Sequence, residues 1–250
     1  MKEKSSRKRL DALLVERGLA ESVQKAQAMI LAGEVRIQGA RADKAGAAVA
    51  DTVQIEIASR SLKYVSRGGY KLAGALEDFA VEPAGMICVD IGSSTGGFTD
   101  CLLQNGATNV YAVDVNVDQL SWKLHKDNRV IRVLRNAREI KREDVSEPVD
   151  LVVADVSFVA VSRVLAPVAS IAKSSATFLI LVKPQFELPR EDVDAGGIVT
   201  DPALHEKAIN LVRKAAAAAG LEILGMHPSR LTGAEGNQEY FLHARKKPLE

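Results

Sequence analysis

The sequence lacks the features that mark secreted, metal-binding and membrane-spanning proteins. Its 250 residues include two cysteines, Cys88 and Cys101, which are too few for a disulfide framework or a cysteine metal cluster. No apolar run approaches the roughly 18 residues that cross a membrane. The basic N-terminus, MKEKSSRKR, is not followed by the apolar segment of a secretory signal. We therefore expect a cytoplasmic protein that neither holds a metal nor associates with membranes.

The composition indicates a well-formed core and an uneven distribution of charge. Hydrophobic residues make up 47% of the chain, and the net charge is +1. Residues 1–63 carry twelve lysines and arginines against eight acids, whereas residues 64–250 carry 21 against 24. The positive charge of the shorter part indicates a polyanionic partner. A solvated basic face would give the same count, so charge alone leaves both interpretations open.

The first 60 residues predict a small α+β domain. RLDALLVERG and ESVQKAQAMILAG have helical periodicity, with a glycine at or near the end of each. EVRIQG and DTVQIEI alternate as strands do. This region resembles the S4 RNA-binding domain at Arg9-Leu10-Asp11, Gly18-Leu19, Ser22, Ala26, Ile30 and Gly33-Glu34-Val35.

The S4 resemblance implies that a helix pair and a basic loop contact structured RNA. Two positions depart from the pattern, because Val23 stands where arginine is common and Gln38 stands where asparagine is common. The candidate RNA-binding residues are basic and include one at the start of the second domain: Arg7, Arg9, Lys25, Arg36, Arg41 and Arg67.

A polar linker at residues 59–66 leads into a second domain, residues 64–250, with a different pattern. Seven apolar segments of strand character, from GMICVDIG to EYFLHARK, have helical segments between most of them. This alternation predicts an α/β fold with a mostly parallel seven-stranded sheet and helices on both faces. Only the short turn TGAEGNQ separates the last two segments, so we expect the last pair of strands to be antiparallel.

The stretch VDIGSSTGGFTD, residues 89–100, predicts a cofactor site. A strand ends at Asp90-Ile91-Gly92, and a glycine pair then leads into a helix whose N-terminus favours an anionic group. Asp114 ends the next strand, where an acid binds the ribose of a nucleotide. The spacing is not the G-x-G-x-x-G of nicotinamide sites. It resembles the S-adenosylmethionine site of class I methyltransferases, and the alternative is a tight turn without a ligand.

That resemblance implies contacts of Asp90 and Gly92 with the methionine half of the cofactor, of Asp114 with its ribose, and of the loop holding Asn136 with its adenine. The candidate cofactor-binding residues lie in the glycine-rich turn and in the three loops beside it. They are Asp90, Gly92, Ser93, Ser94, Thr95, Gly96, Gly97, Phe98, Asp114, Val115, Asn136 and Asp155.

Four charged residues follow the order Lys, Asp, Lys, Glu along the second domain. Lys183 comes directly after the buried stretch LILV, and Asp155 follows the preceding strand. Because ligands bind at the carboxyl ends of parallel strands, we expect these two residues to be neighbours beside the cofactor. Lys71 lies in VSRGGYKL and Glu239 in GNQEYFLH. A lysine at a strand end also commonly emerges into solvent, so Lys183 alone does not distinguish a functional site from an ordinary surface residue.

Together with SRGGYKL, DIGSSTGGFTD, ADVSF and LVKPQFE, this order resembles the FtsJ-like ribose 2′-O-methyltransferases. The S4-like region in front makes nearly the whole chain similar to the haemolysin A (TlyA)-like proteins. The resemblance implies a Rossmann-like class I methyltransferase that uses S-adenosylmethionine and acts on RNA, above all ribosomal RNA. It implies four catalytic residues: Lys71, Asp155, Lys183 and Glu239.

Lys183 is the candidate that orients or deprotonates the ribose 2′-hydroxyl. The methyl donor is already activated, so the enzyme mainly aligns the reactants and assists one proton transfer. A lysine is normally protonated at neutral pH, so a role as base requires neighbours that favour the neutral amine. Lys71 would favour it, whereas Asp155 and Glu239 would oppose it. The sequence leaves both roles open.

Four rival functions fit less well. An enzyme that methylates an exocyclic amine would carry D/N-P-P-Y where this chain reads Asp155-Val156-Ser157-Phe158. A carbon-5 enzyme needs a nucleophilic cysteine, and neither cysteine lies at the end of a catalytic strand. A membrane-active haemolysin finds little support, because KAAAAAG is short and weakly amphipathic. A non-catalytic RNA-binding protein would be favoured by loss of one of the four charged residues, and none is lost.

Overall fold

The structure is a computed structural model in which the chain divides into two compact units, Met1–Lys63 and Tyr64–Glu250. The residues that it describes are 7–31, 33–57, 63–194, 196–233 and 236–248. Residues 59–62 of the predicted linker lie outside the described residues. Ala234 and Glu235 of the predicted turn TGAEGNQ also lie outside them.

The first unit packs two helices against short antiparallel strands. Its helices are α1 (Leu10–Glu16) and α2 (Val23–Leu31). Its strands are β1 (Arg7–Arg9), β2 (Val35–Ile37), β3 (Ala40–Arg41), β4 (Ala48–Ala50) and β5 (Ile55–Ile57). Strand β1 pairs with β4, while β2 lies between β3 and β5. Leucines 10 and 14, Ala26 and Ile30 fill the core between the helices, as their helical spacing predicts.

The second unit is built on one sheet, which has seven strands in the described part of the chain. The strands are β6 (Ile87–Ile91), β7 (Asn109–Asp114), β8 (Val130–Leu134), β9 (Val149–Ala154), β10 (Ala172–Val182), β11 (Leu221–Pro228) and β12 (Tyr240–Lys246). Their spatial order is β11-β12-β10-β9-β6-β7-β8. All neighbours are parallel except β12, which is antiparallel to both β10 and β11. The predicted fold class is confirmed.

Helices cover both faces of this sheet. They are α3 (Arg67–Asp78), α4 (Gly97–Gln104), α5 (Trp122–His125), α6 (Leu165–Ser170), α7 (Pro184–Glu187) and α8 (Pro202–Ala218). Successive strand residues face opposite sides, so Val152 packs in the core beneath α6 and α8, while Val153 packs in the core beneath α3 and α4. Because both faces are buried, the strands read as nearly continuous apolar runs.

The strand order reverses between β6 and β9, and this reversal positions the site. The chain passes from β6 to β7 and β8 on one side, and then returns to β9 on the other. At such a point the loops after the two central strands separate and leave a crevice at their carboxyl ends. Asp90 in β6 and Asp155 after β9 therefore lie on either side of that crevice.

Candidate functional site

The turn between β6 and α4 requires glycine at two positions. Gly92 has φ 81°, and a Cβ there would lie 2.5 Å from the carbonyl oxygen of Asp155. Gly96 has φ 91°, and a Cβ there would overlap the side chain of Leu124. Both residues adopt left-handed backbone in a tightly packed place, which only glycine does without strain. The turn thereby brings the backbone close to any molecule in the crevice.

Two adjoining cavities open at the carboxyl edge of the sheet. The larger has a volume of about 540 Å³ and the smaller about 180 Å³. Their walls share Gly92, Ser94, Asp155 and Ser157. Asp114, Val115 and Asn136 line the larger cavity only. The smaller one is lined in addition by Ser66, Gly68, Asp90, Ser93, Thr95, Gly97, Phe98 and Lys183.

Most predicted cofactor residues thus meet along one cleft. Gly96 does not line it and instead shapes the turn from behind. Asp114 accepts hydrogen bonds from the backbone N–H of Ser94 at 2.9 Å and of Asn116 at 3.0 Å, which fixes its carboxylate at the cleft wall. Asn136 accepts from the N–H of Arg138 at 3.0 Å.

Asp90 is a fully buried carboxyl group in the wall of the smaller cavity. Its Oδ2 accepts from the backbone N–H and the hydroxyl of Thr99, at 2.9 and 2.6 Å. Its Oδ1 has no hydrogen-bond partner among the described residues. Burial raises the pKa of Asp90 to about 7; the bonds from Thr99 oppose the rise, and the charges of Asp155 and Asp114 add to it. A buried carboxylate with a spare acceptor favours a positively charged ligand.

Lys183 and Asp155 form an ion pair at the boundary of the two cavities. The Nζ of Lys183 lies 2.5 Å from Oδ1 of Asp155 and donates to Oγ of Ser157 at 2.8 Å. Lys183 follows β10 directly and is buried, so its ammonium stays at the strand end instead of reaching solvent. Lys183 and Asp155 are thus in contact, as expected for residues at the carboxyl ends of neighbouring parallel strands. Ser157 was not predicted, because a serine after a strand carries no signal in the sequence.

Lys71 and Glu239 form a second ion pair, with Nζ 2.5 Å from Oε2. Glu239 is 2% exposed and precedes β12, while Lys71 lies in the second turn of α3. Neither residue lines the two cavities in the described part of the chain. The four predicted catalytic residues therefore form two pairs, of which one lines the cleft and the other does not.

Phe158 is a further feature of the cleft that the sequence did not predict. Its side chain is 92% exposed, its φ is 62°, and it lines the larger cavity. Its ring lies 5.5 Å from that of Phe186 in α7. An exposed aromatic residue on left-handed backbone is costly, and such strain concentrates at binding sites. No sequence pattern signals a positive φ at phenylalanine.

The six predicted RNA-binding residues are all exposed. In β1, Arg9 lies 2.7 Å from buried Asp11 in an ion pair. Arg36 in β2 and Arg41 in β3 face each other across the two strands. The remaining three lie in different elements: Arg7 in β1, Lys25 in α2 and Arg67 at the first position of α3, in the second unit.

Each of the two units contains a region that matches the model of a known protein family. The model of the S4 domain family matches residues 8–55, and the model of the FtsJ-like methyltransferase family matches residues 64–246. Among curated relatives, the 16S/23S rRNA (cytidine-2'-O)-methyltransferase TlyA of Mycobacterium tuberculosis is 46% identical over 96% of this chain and 90% of its own. Hemolysin A of Brachyspira hyodysenteriae is 40% identical over 94% of this chain and 98% of its own.

Solved structures extend the likeness to the fold. A candidate hemolysin from Streptococcus thermophilus has a TM-score of 0.76 at 38% identity, covering 97% of this chain and 90% of that one. An S-adenosylmethionine dependent methyltransferase from Mesorhizobium loti shares the fold with a TM-score of 0.54 at 15% identity, over 70% of this chain and 98% of that one. Fold and cleft together define a Rossmann-like methyltransferase that uses S-adenosylmethionine. The chain belongs to the FtsJ-like methyltransferase family, in its hemolysin A (TlyA)-like group with an N-terminal S4 domain.

The cleft fits S-adenosylmethionine on its own geometry. The spare Oδ1 of Asp90 suits the cationic methionine end, and the carboxylate of Asp114 suits a ribose hydroxyl. The larger cavity, with Val115 and Asn136 in its wall, has the volume for an adenosine. We propose these residue roles on the strength of that match.

Binding of S-adenosylmethionine is expected to strengthen as the pH rises towards 7. The positive ligand favours ionised Asp90, whose pKa is raised to about 7, so binding must release a proton below that pH. Affinity should then rise by up to about tenfold per unit between roughly pH 5.5 and 6.5. Calorimetric titration across this range measures it. The Asp90→Asn variant should bind with little pH dependence there, and an equal slope in both proteins would exclude Asp90 as the source.

Proposed function

We propose that this protein transfers a methyl group from S-adenosylmethionine to a ribose 2′-hydroxyl of ribosomal RNA. The observation that carries the proposal is the Lys183–Asp155 ion pair at the carboxyl edge of the sheet, beside the cofactor cleft. The likeness to an rRNA cytidine-2'-O-methyltransferase at 46% identity supports both the reaction and the substrate. We place the reaction in the cytoplasm, where ribosomal RNA is assembled into ribosomal subunits.

Lys183 is the group that would act on the hydroxyl. When bound, S-adenosylmethionine supplies an electrophilic methyl group activated by its sulfonium. An ammonium has three N–H donors; one donates to Oγ of Ser157, and the carboxylate of Asp155, 2.5 Å away, balances the charge. A remaining N–H can donate to the ribose oxygen, hold it in line and stabilise the negative charge that develops as the hydroxyl loses its proton to solvent water. This arrangement favours orientation of the hydroxyl over its deprotonation by lysine.

Lys71 and Glu239 would position the elements around the cleft. Glu239 is buried just before β12, which lies next to β10, and Lys71 ties it to α3. The first residues of α3 include Gly68 in the wall of the smaller cavity. The pair therefore holds α3 against the sheet beside the residue that acts on substrate.

The S4 unit would hold the RNA. Arg36 and Arg41 lie opposite each other on β2 and β3, and both are exposed. Each also has an acidic neighbour, because Glu56 lies opposite Arg36 on β5 and Asp43 pairs with Arg41 at 3.4 Å. Their exposure and the positive charge of residues 1–63 support an RNA phosphate backbone as the partner.

No helix in the described parts of the chain is long and apolar enough to cross a membrane. Among these same residues, no group of three or more histidine, cysteine or acidic side chains is placed to hold a metal ion.

The proposed function is tested by transfer of radiolabelled methyl to RNA. Small and large ribosomal subunits from a strain without this enzyme, and the rRNA extracted from each, are incubated with protein and labelled S-adenosylmethionine. We expect label in rRNA of at least one subunit, approaching one methyl per acceptor site. Absence of label from every RNA, with cofactor binding intact, would contradict the proposal and favour an RNA-binding role without catalysis.

A further inference from the structure

The edge of the sheet beside the cofactor cleft carries an exposed basic surface. We define this edge surface by Trp122 and Lys126 at α5, and by Arg129 and Arg132 at β8, the last strand of the sheet. Residues 122–135 hold five lysines and arginines and one acid, although residues 64–250 as a whole contain more acids than bases. Positive charge in the second unit is therefore concentrated at this edge.

Two cations of the edge surface are not neutralised by neighbouring acids. Lys126 and Arg132 form no ion pair with the described residues; the Nζ of Lys126 lies 3.7 Å from the ring centre of Trp122, and the guanidinium of Arg132 lies 3.0 Å from Nδ1 of His125. Arg129, by contrast, is paired with Asp127 at 2.7 Å. Lys126 and Arg132 are thus the groups available to a polyanion.

Trp122 gives the surface a second property. It is the one tryptophan of the chain, and its side chain is 71% exposed. Leaving so large an apolar ring in contact with water is unfavourable. The cations around the ring would also disfavour the binding of an apolar protein partner. An aromatic ring flanked by cations is the combination that binds single-stranded nucleotides, because bases stack on the ring and phosphates pair with the charges.

The edge surface is attached directly to the cofactor turn. Leu124 of α5 packs on Gly96, and the backbone N–H of Ser121 donates to the carbonyl of Thr95 at 3.1 Å. At the other end, Arg135 and Arg138 continue from β8 into the wall of the larger cavity. RNA lying on this surface would run beside the cleft that holds the methyl donor.

We propose that the edge surface of Trp122, Lys126, Arg129 and Arg132 binds the substrate RNA, with an unpaired base on Trp122 and phosphates on Lys126 and Arg132. This inference rests on the proposed function and adds to it a contact made by the methyltransferase unit itself. The surface acts in binding, so it should affect the affinity for RNA and the KM but leave the chemical step unchanged.

The test measures binding of full-length protein to 16S and 23S rRNA over a series of KCl concentrations. Removing two phosphate contacts in Lys126→Gln/Arg132→Gln should weaken binding by about tenfold at moderate salt and lower the slope of log affinity against log salt by roughly 1.5. Trp122→Ala should weaken binding by about tenfold at every salt concentration, with an unchanged slope, because stacking releases no counterions.

The matched control is Arg213→Gln/Lys214→Gln on α8, which removes two charges from the helix layer on the other face of the sheet. It should bind RNA as wild type does. Unchanged affinity and slope in Lys126→Gln/Arg132→Gln, with S-adenosylmethionine binding intact, would overturn the inference. Equal weakening in the control would overturn it too, because charge alone would then explain the loss. Failure of the proposed function has a separate signature, namely no methyl transfer by the wild type.

Discussion

Lys183→Ala is expected to lower the kcat of methyl transfer by about 10³-fold, while the dissociation constant of S-adenosylmethionine changes by less than about threefold. The loss follows from the position of the ammonium, which pairs with Asp155 and donates to Ser157 while keeping a free N–H for the ribose oxygen. Single-turnover transfer of label to the accepting rRNA, together with calorimetric cofactor binding, separates the two quantities.

Lys173→Ala is the matched control for this variant. Lys173 lies near the other end of β10 and pairs with Asp150 at 2.8 Å, so it shares the strand and the partner type but lies away from the cleft. Its activity should stay within about twofold of wild type, because an exposed ion pair contributes little to the stability of the fold. More than a tenth of wild-type kcat in Lys183→Ala would show that the amine is not needed for the reaction.

Lys71→Met is expected to lower the free energy of unfolding of the second unit by about 3–5 kcal/mol. The substitution keeps the length of the side chain but leaves the carboxylate of Glu239, which is 2% exposed, without its partner. Trp122 is the one tryptophan and lies in the second unit, so urea unfolding followed by its fluorescence reports on that unit.

Two further variants separate charge from packing. Lys71→Met/Glu239→Gln removes both charges and should recover most of the lost stability, because the buried carboxylate is gone. Lys207→Met, which breaks the more exposed pair with Asp192, should cost no more than about 1 kcal/mol. If Lys71→Met lowered the free energy of unfolding no more than Lys207→Met does, the Lys71–Glu239 pair would not hold α3 against the sheet as proposed.

Much of this architecture could be predicted from the sequence, because periodicity and the rules of parallel sheets act locally. Continuous apolar runs identified the strands, and the short turn before Tyr240 identified the antiparallel last pair. The adjacency of Lys183 and Asp155 followed from one rule, that the carboxyl ends of neighbouring parallel strands meet at one edge.

Other features required the folded structure because they depend on contacts between distant residues. Lys71 and Glu239 are 168 positions apart, and no spacing rule predicts that they pair with each other and not with Lys183 or Asp155. Elements of three or four residues, such as β1, β4 and α5, are too short for a periodic pattern to indicate them. The φ of 62° at Phe158 also runs against the preference of the residue, so no sequence pattern indicates it.

The central claim, that the acceptor is a ribose 2′-hydroxyl, is tested most directly by identifying the methylated nucleoside. Ribosomal RNA methylated by the wild-type protein would be digested completely to nucleosides and analysed by mass spectrometry, with Lys183→Ala as the blank. Our account predicts that the added methyl fragments with the sugar and that the adjacent phosphodiester resists alkali. A methyl that fragments with the base would contradict the account, even though the fold and the cofactor would stand.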